Sequence, residues 1–100
     1  MVTCALYVPL EAKPDKADEL EQFLRSAQPL AEQEPGTTAW FALRMGLTSF
    51  AIFDVFPDDA ARQAHLSGPI AEALMARADE LLASPPAINS IDVFASKLPG

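Results

Sequence analysis

Histidine and cysteine each occur once in these 100 residues, as His65 and Cys4. A single cysteine allows no intrachain disulfide. One of each cannot build a zinc site of the usual kind. No carboxylate cluster has ligand spacing, so no metal is expected. With only four glycines, no Gly-rich loop follows a strand to hold a phosphate. No Ser-His-Asp signature can be assembled from spacing either, so nucleotide and hydrolytic roles lack support. Lys and Arg number 7 against 14 acidic residues, a formal charge of -7, and the basic residues form no run. Nucleic acid and anionic membrane both need clustered positive charge, so neither is an expected partner. No apolar run is long enough to cross a bilayer. Met1 leads straight into a strand pattern, without a basic start and an apolar core, so no signal peptide is expected and the expected location is cytoplasmic.

What is present is apolar residues, half of the chain, in clear periodic patterns. The length suits one domain, residues 1–100. The chain is organised around Thr37 to Phe56, two strand-like runs joined at Gly46. Alternation puts Thr37, Ala39, Phe41, Leu43 and Met45 on one face of the first run, with Trp40, Ala42 and Arg44 on the other. In the second run Phe50, Ile52, Asp54 and Phe56 alternate with Ala51, Phe53 and Val55. An antiparallel hairpin with one wet face shows polar residues on one parity. Neither parity is polar here, so both faces of the sheet need cover.

Around this hairpin, Val2 to Leu10 alternates as a strand, with Pro9 near its end where a missing N–H is tolerable. Asp15 is a candidate helix cap, and Asp18 and Glu19 suit a first turn. Leu20, Phe23, Leu24, Ala27, Leu30 and Ala31 then form one helical stripe. Pro29 falls within the run, where it is expected to kink or shorten the last turns. Pro35-Gly36 ends the helix. After Phe56, Pro57-Asp58 stops the strand and caps a short helix over Asp59 to Leu66. Gly68-Pro69 restarts the helical path, with Ser67 or Gly68 as cap. Ile70, Ala71, Leu74, Met75, Ala78, Leu81 and Leu82 mark a further amphipathic stretch, closed by Ser84-Pro85-Pro86. Ala87 to Leu98 reads as the last strand. Cys4, within an apolar strand, reads as a small buried hydrophobe.

The order β-α-β-β-α-β predicts an α+β, ferredoxin-like fold, a four-stranded antiparallel sheet with helices on one face. Helices cover one side only. The other side is expected to meet a second copy, giving a homodimer through the sheet faces.

The segments KPDKADELEQFL, EPGTTAWFAL, FAIFDVFPDDAARQAHLSGP and IDVFASKL resemble the antibiotic biosynthesis monooxygenase domain, a dimeric α/β-barrel group. The resemblance spans nearly the whole chain. It implies a homodimer in which each protomer has a pocket between the sheet and the second helical segment. It further implies a cofactor-independent monooxygenase acting on a quinol or polycyclic phenolic substrate with O2, with no metal or flavin. Two departures stand out. The family motif often reads His, three residues, Pro, His; here His65 and Pro69 are present but Ile70 takes the second histidine's place. Heme-degrading relatives use an Asn from the first strand, and Met1 to Leu10 has none, which argues against heme degradation.

Six residues are candidates for the site. His65, the only side chain with an unperturbed pKa near neutrality, is a base or hydrogen-bond donor to a phenolic oxygen on the family pattern; alternatively it caps or packs its helix. Trp40 and Arg44 share a strand face, about 13 Å apart. They suit stacking on an aromatic ligand and holding an anionic oxygen, or else an interface tryptophan and a rim arginine paired with a carboxylate. Phe53 is a candidate lining residue. Asp54, among apolar neighbours, is a site residue or the partner of a nearby arginine, since burying it bare is costly. Tyr7 is a ligand donor or core packing. The readings that compete with the enzyme are a non-catalytic dimeric module binding a small aromatic ligand, and an isomerase or cyclase on the same scaffold.

Overall fold

The computed structural model describes residues 1–99. Two long central strands, β1 (Cys4–Glu11) and β3 (Ser49–Phe56), pair antiparallel over their whole length. Both carry alternating large apolar residues. Leu6, Val8 and Leu10 of β1 and Phe50, Ile52 and Phe56 of β3 point the same way and are buried. β2 (Ala39–Arg44) flanks β3, and β4 (Asn89–Asp92) flanks β1, giving the order β2-β3-β1-β4. The expected α+β, four-stranded antiparallel sheet is the observed one. Its helical layer has three members, α1 (Ala17–Glu32), α2 (Asp59–Leu66) and α3 (Pro69–Leu81), because Gly68 and Pro69 split the second helical segment.

The main core lies between sheet and helices, where the α1 stripe Leu20, Phe23 and Leu24 and the α3 residues Leu74 and Leu81 meet those strand residues. α1 begins after Lys16 rather than Asp15 and has no side-chain cap; Asp18 and Glu19 supply the negative charge its first turn favours. It also runs through Pro29 to Glu32. The N–H that Pro29 lacks would have gone to the carbonyl of Arg25, an exposed residue, so water can take its place. α2 begins as expected, with the Asp58 side chain accepting from the Ala61 N–H at 2.8 Å. Gly68 caps α3, and Pro69 takes the first-turn position that needs no donor.

The closing strand is shorter than its alternation predicts, four residues rather than Ala87 to Leu98. The register explains it. Cys4 pairs with Asp92, and the Val93 N–H reaches the Thr3 carbonyl at 2.9 Å. β1 then has too little chain left to pair with residues 94–98. Phe94 is fully exposed there. Pro9 lies past the last β1–β4 pair, Tyr7↔Asn89, where one side of β1 is free.

The second face of the sheet carries no helix. Val2, Ala5 and Val55 form a small buried cluster at one end of it. Elsewhere Phe41 stacks on Phe53 with ring centroids 6.5 Å apart, yet Phe41 stays 49% exposed, with Leu43 and Ile91 also exposed.

The turn between α1 and β2 docks on α2. A Cβ added at Gly36 would fall 2.9 Å from the Cβ of Ala61, closer than two carbons can pack. Gly36→Ala is therefore expected to cost about 1–3 kcal/mol by forcing the turn off α2. Urea unfolding checks this, and Ala61→Gly in the same chain is expected to restore part of the loss.

Candidate functional site

α2 is short, and only one of its residues is buried: His65. The helix thus delivers an imidazole to the interior, where it meets two carboxylates from separate elements. Its Nδ1 lies 2.6 Å from Oε1 of Glu34, in the turn after α1. Its Nε2 lies 2.9 Å from Oδ2 of Asp54, on the helix-facing side of β3. A carboxylate can only accept, so Nδ1 carries a hydrogen toward Glu34. The same Glu34 oxygen accepts from the Thr37 hydroxyl at 2.7 Å. Phe56 packs on the imidazole with ring centroids 5.4 Å apart.

Asp54 is 0% exposed and His65 is 7% exposed. The approach of Nε2 to Asp54 is close but off the hydrogen-bonding direction, and neither Asp54 oxygen has a hydrogen-bond partner. The pair is held by charge and proximity, with acceptor capacity to spare. Burial pulls the His65 pKa down. The contacts with Asp54 and Glu34 and their negative charge outweigh it, so the pKa is raised above the ordinary 6.5.

This pair lies in the wall of a crevice of about 40 Å³ between the sheet and α2–α3. Its other walls are apolar, among them Leu6, Val8, Ile52, Ile70 and Leu74. Met75, 56% exposed, and the exposed Ile88 stand where the crevice meets solvent. Glu34 and Asp54 approach opposite ring nitrogens, so these three residues do not converge on a common centre. Among the described residues no group of three or more His, Cys, Asp or Glu is arranged to hold a metal ion.

The six candidates divide into three groups. Asp54 and His65 meet at the crevice. Trp40 is on the same face as Asp54 and directly opposite it in register, but packs toward α1, against Ala27, Ala31 and Ile70. With Arg44 it lines a separate open groove of about 360 Å³ between α1 and β2. Its Nε1 is buried without a partner. Arg44 is occupied structurally. It pairs with Glu21 at 2.8 Å, donates to the carbonyls of Gly46 and Leu47, and lies over the Phe50 ring. Tyr7 and Phe53 pair across β1 and β3 on the helix-free face, turned away from His65. Phe53 immediately precedes Asp54 on β3 and so faces the opposite side of the sheet; the two cannot share a wall. Glu34 and Thr37 were not among the candidates. The EPGT turn that holds them was visible, but nothing local ties Glu34 to a histidine 31 positions on.

The sequence and the fold match known proteins. The family model described as antibiotic biosynthesis monooxygenase matches residues 4–77, and the chain belongs to that family. It is similar to a crystal structure of a protein of unknown function from Nitrosomonas europaea, with 56% identity and a TM-score of 0.98 over 100% of this chain and 97% of that one. A structure from Mycobacterium tuberculosis shares the fold at 18% identity and a TM-score of 0.84, covering 94% of this chain and 97% of that one. Another, named antibiotic biosynthesis monooxygenase, does so at 17% identity and a TM-score of 0.79, covering 92% of this chain and 99% of that one. No curated protein matches the chain. No helix among the described residues is long and apolar enough to cross a membrane.

The raised His65 pKa fixes a sign for stability. A protonated His65 is favoured by the fold, so its contribution is complete below pH 6.5, the ordinary value, and is lost as pH rises through the folded-state value. Urea midpoints measured across that range are expected to fall with rising pH, and His65→Gln is expected to remove this component of the slope.

Proposed function

We propose that this protein is a cofactor-independent oxygenase that oxidises a quinol or polycyclic phenol with O2, and that the Asp54–His65 pair is its reaction centre. The observation that carries the reading is a buried carboxylate with unbonded oxygens beside an imidazole, in the wall of an otherwise apolar crevice. Such a pair can take the proton of a substrate hydroxyl and face the resulting oxyanion with positive charge. The electrons come from the ring. For an anthrone-type substrate, a CH2 carbon and O2 become a carbonyl carbon and water, so no external reductant is needed.

A crevice of about 40 Å³ holds water-sized molecules, not a fused ring system. A substrate must displace Met75 and Ile88 on entry. That narrowness favours the second reading, a module that binds a small aromatic ligand without turning it over. An isomerase or cyclase would use the same pair without consuming oxygen. The helix-free face, with Phe41, Leu43 and Ile91 exposed, supports a homodimer joined through the sheets.

Oxygen uptake with a panel of naphthoquinols and anthrones, corrected for autoxidation, tests the enzyme reading. Saturable uptake that falls about a hundredfold or more in His65→Ala is expected, on the order of the low end of general acid–base catalysis. Uptake no faster than the blank overturns it in favour of the binding module, for which Trp40 fluorescence is a direct titration signal. Light scattering at micromolar concentration is expected to give twice the chain's mass, and Phe41→Glu to give the mass of one chain.

A further inference from the structure

We propose that Glu34 is a positioning residue for the reaction centre: it fixes which ring nitrogen of His65 faces Asp54 and keeps the imidazole proton-bearing. This rests on the reading of Asp54 and His65 given above and assigns a role to a residue outside the crevice lining.

The geometry supports it from three sides. Oε1 of Glu34 receives the His65 Nδ1–H at 2.6 Å and the Thr37 hydroxyl at 2.7 Å, so the carboxylate cannot swing away without losing both. Its other oxygen lies against Gly68, the cap of α3; a Cβ there would come within 3.4 Å of Oε2. Helix N-termini favour negative charge, and the carboxylate sits beside one. The third side is Gly36, whose missing Cβ lets the turn carrying Glu34 and Thr37 seat on α2 beside Ala61. The turn is thus shaped to bring one carboxylate to one ring nitrogen. The charged groups packed on His65 are then Glu34 from the turn and Asp54 from β3; the last-turn neighbours on α2 itself carry none.

The consequence concerns which group accepts the substrate's proton. With Nδ1–H held by Glu34, a neutral ring would turn its Nε2 lone pair toward the Asp54 carboxylate, which is repulsive. A protonated ring removes that repulsion and sets its positive charge 2.9 Å from the carboxylate. Asp54 is then the acceptor: the substrate O–H bond breaks, an O–H bond forms on Asp54, and the electron pair stays on the substrate oxygen facing the imidazolium. A histidine base and a histidine cation make opposite pH profiles. If His65 were the base, the rate would rise with pH through its titration. In the arrangement proposed, it falls.

Because His65 is the sole histidine, its ring nitrogens give an unambiguous signal in 15N-labelled protein. Proton–nitrogen NMR titrations of the native chain, Glu34→Gln and Glu34→Ala test the assignment, with circular dichroism confirming that each is folded. The native chain is expected to show a hydrogen on Nδ1 throughout and a midpoint above 6.5. Glu34→Gln keeps an acceptor but not the charge, so the Nδ1–H form persists while the midpoint falls. Glu34→Ala loses both features. Thr37→Val, which frees the carboxylate without removing it, gives an intermediate midpoint and serves if the Glu34 variants do not fold. A midpoint and tautomer unchanged in Glu34→Ala, or in Thr37→Val where that variant stands in, overturn the proposal.

With a substrate in hand, kcat is expected to fall about tenfold in Glu34→Gln at unchanged KM, to recover partly in Glu34→Asp, and to decline in the native enzyme as pH passes the NMR midpoint. A kcat that rises through that midpoint also overturns it. If the native protein consumes no substrate, the oxygenase reading fails by itself, and the NMR comparison still decides the role of Glu34.

Discussion

A carboxylate buried on the core side of a central strand is the constraint on which this structure turns. Asp54 stands where its register neighbours are Leu6 and Trp40, with Ile52 and Phe56 on either side of it along the same face. Leaving such a group bare costs several kcal/mol, on the order expected for unpaired buried charge. The chain answers with a histidine brought in on a helix too short to be stable alone, and that histidine is in turn held by a glutamate from a turn. α2, the α1–β2 turn and the cap of α3 all meet around this point. The placement of the helical layer over that half of the sheet is therefore tied to the same few polar atoms.

The two halves of the helix-facing side have different characters. Around β2 and α1, polarity is spent on structure apart from the unpartnered Trp40 Nε1: Arg44 bridges Glu21, two carbonyls and the Phe50 ring. Around β3 and α2, polar atoms are left with unused capacity. A structural ion pair is normally completed by further hydrogen bonds, because an unused acceptor in a dry interior is a loss. Unused capacity beside an apolar space is where a ligand's hydroxyl gains most.

Much of this was legible in the sequence. The strand parities placed Asp54 with Ile52 and Phe56, and the three- and four-residue spacings placed the α1 and α3 stripes, because burial imposes those periods directly. Asp58 and Pro69 marked helix starts through local chemistry. What could not be read depends on distant partners. The end of β4 is set by how little chain precedes Cys4, the opposite end of the sequence. The start of α1 slipped past Asp15 because several neighbouring residues offer similar first-turn charge. Glu34 was invisible as a site residue because its contact with His65 is made by docking, not by spacing. The parity that separates Phe53 from Asp54 was visible throughout, and it keeps the helix-free face and the crevice distinct.

The glycine at position 36 and the three polar residues it helps assemble bear on how this lineage can change. With His65 gone, Asp54 is left buried and uncompensated; with Asp54 gone, the imidazole loses its inward partner; with Glu34 gone, the ring is untethered. Each single loss is expected to be harmful alone and milder in company, which would make the three positions an epistatic unit. Drift at one of them is blocked until another has moved. Among relatives, the expectation is joint retention or joint replacement, with all three positions turning apolar together where the buried ion pair is given up.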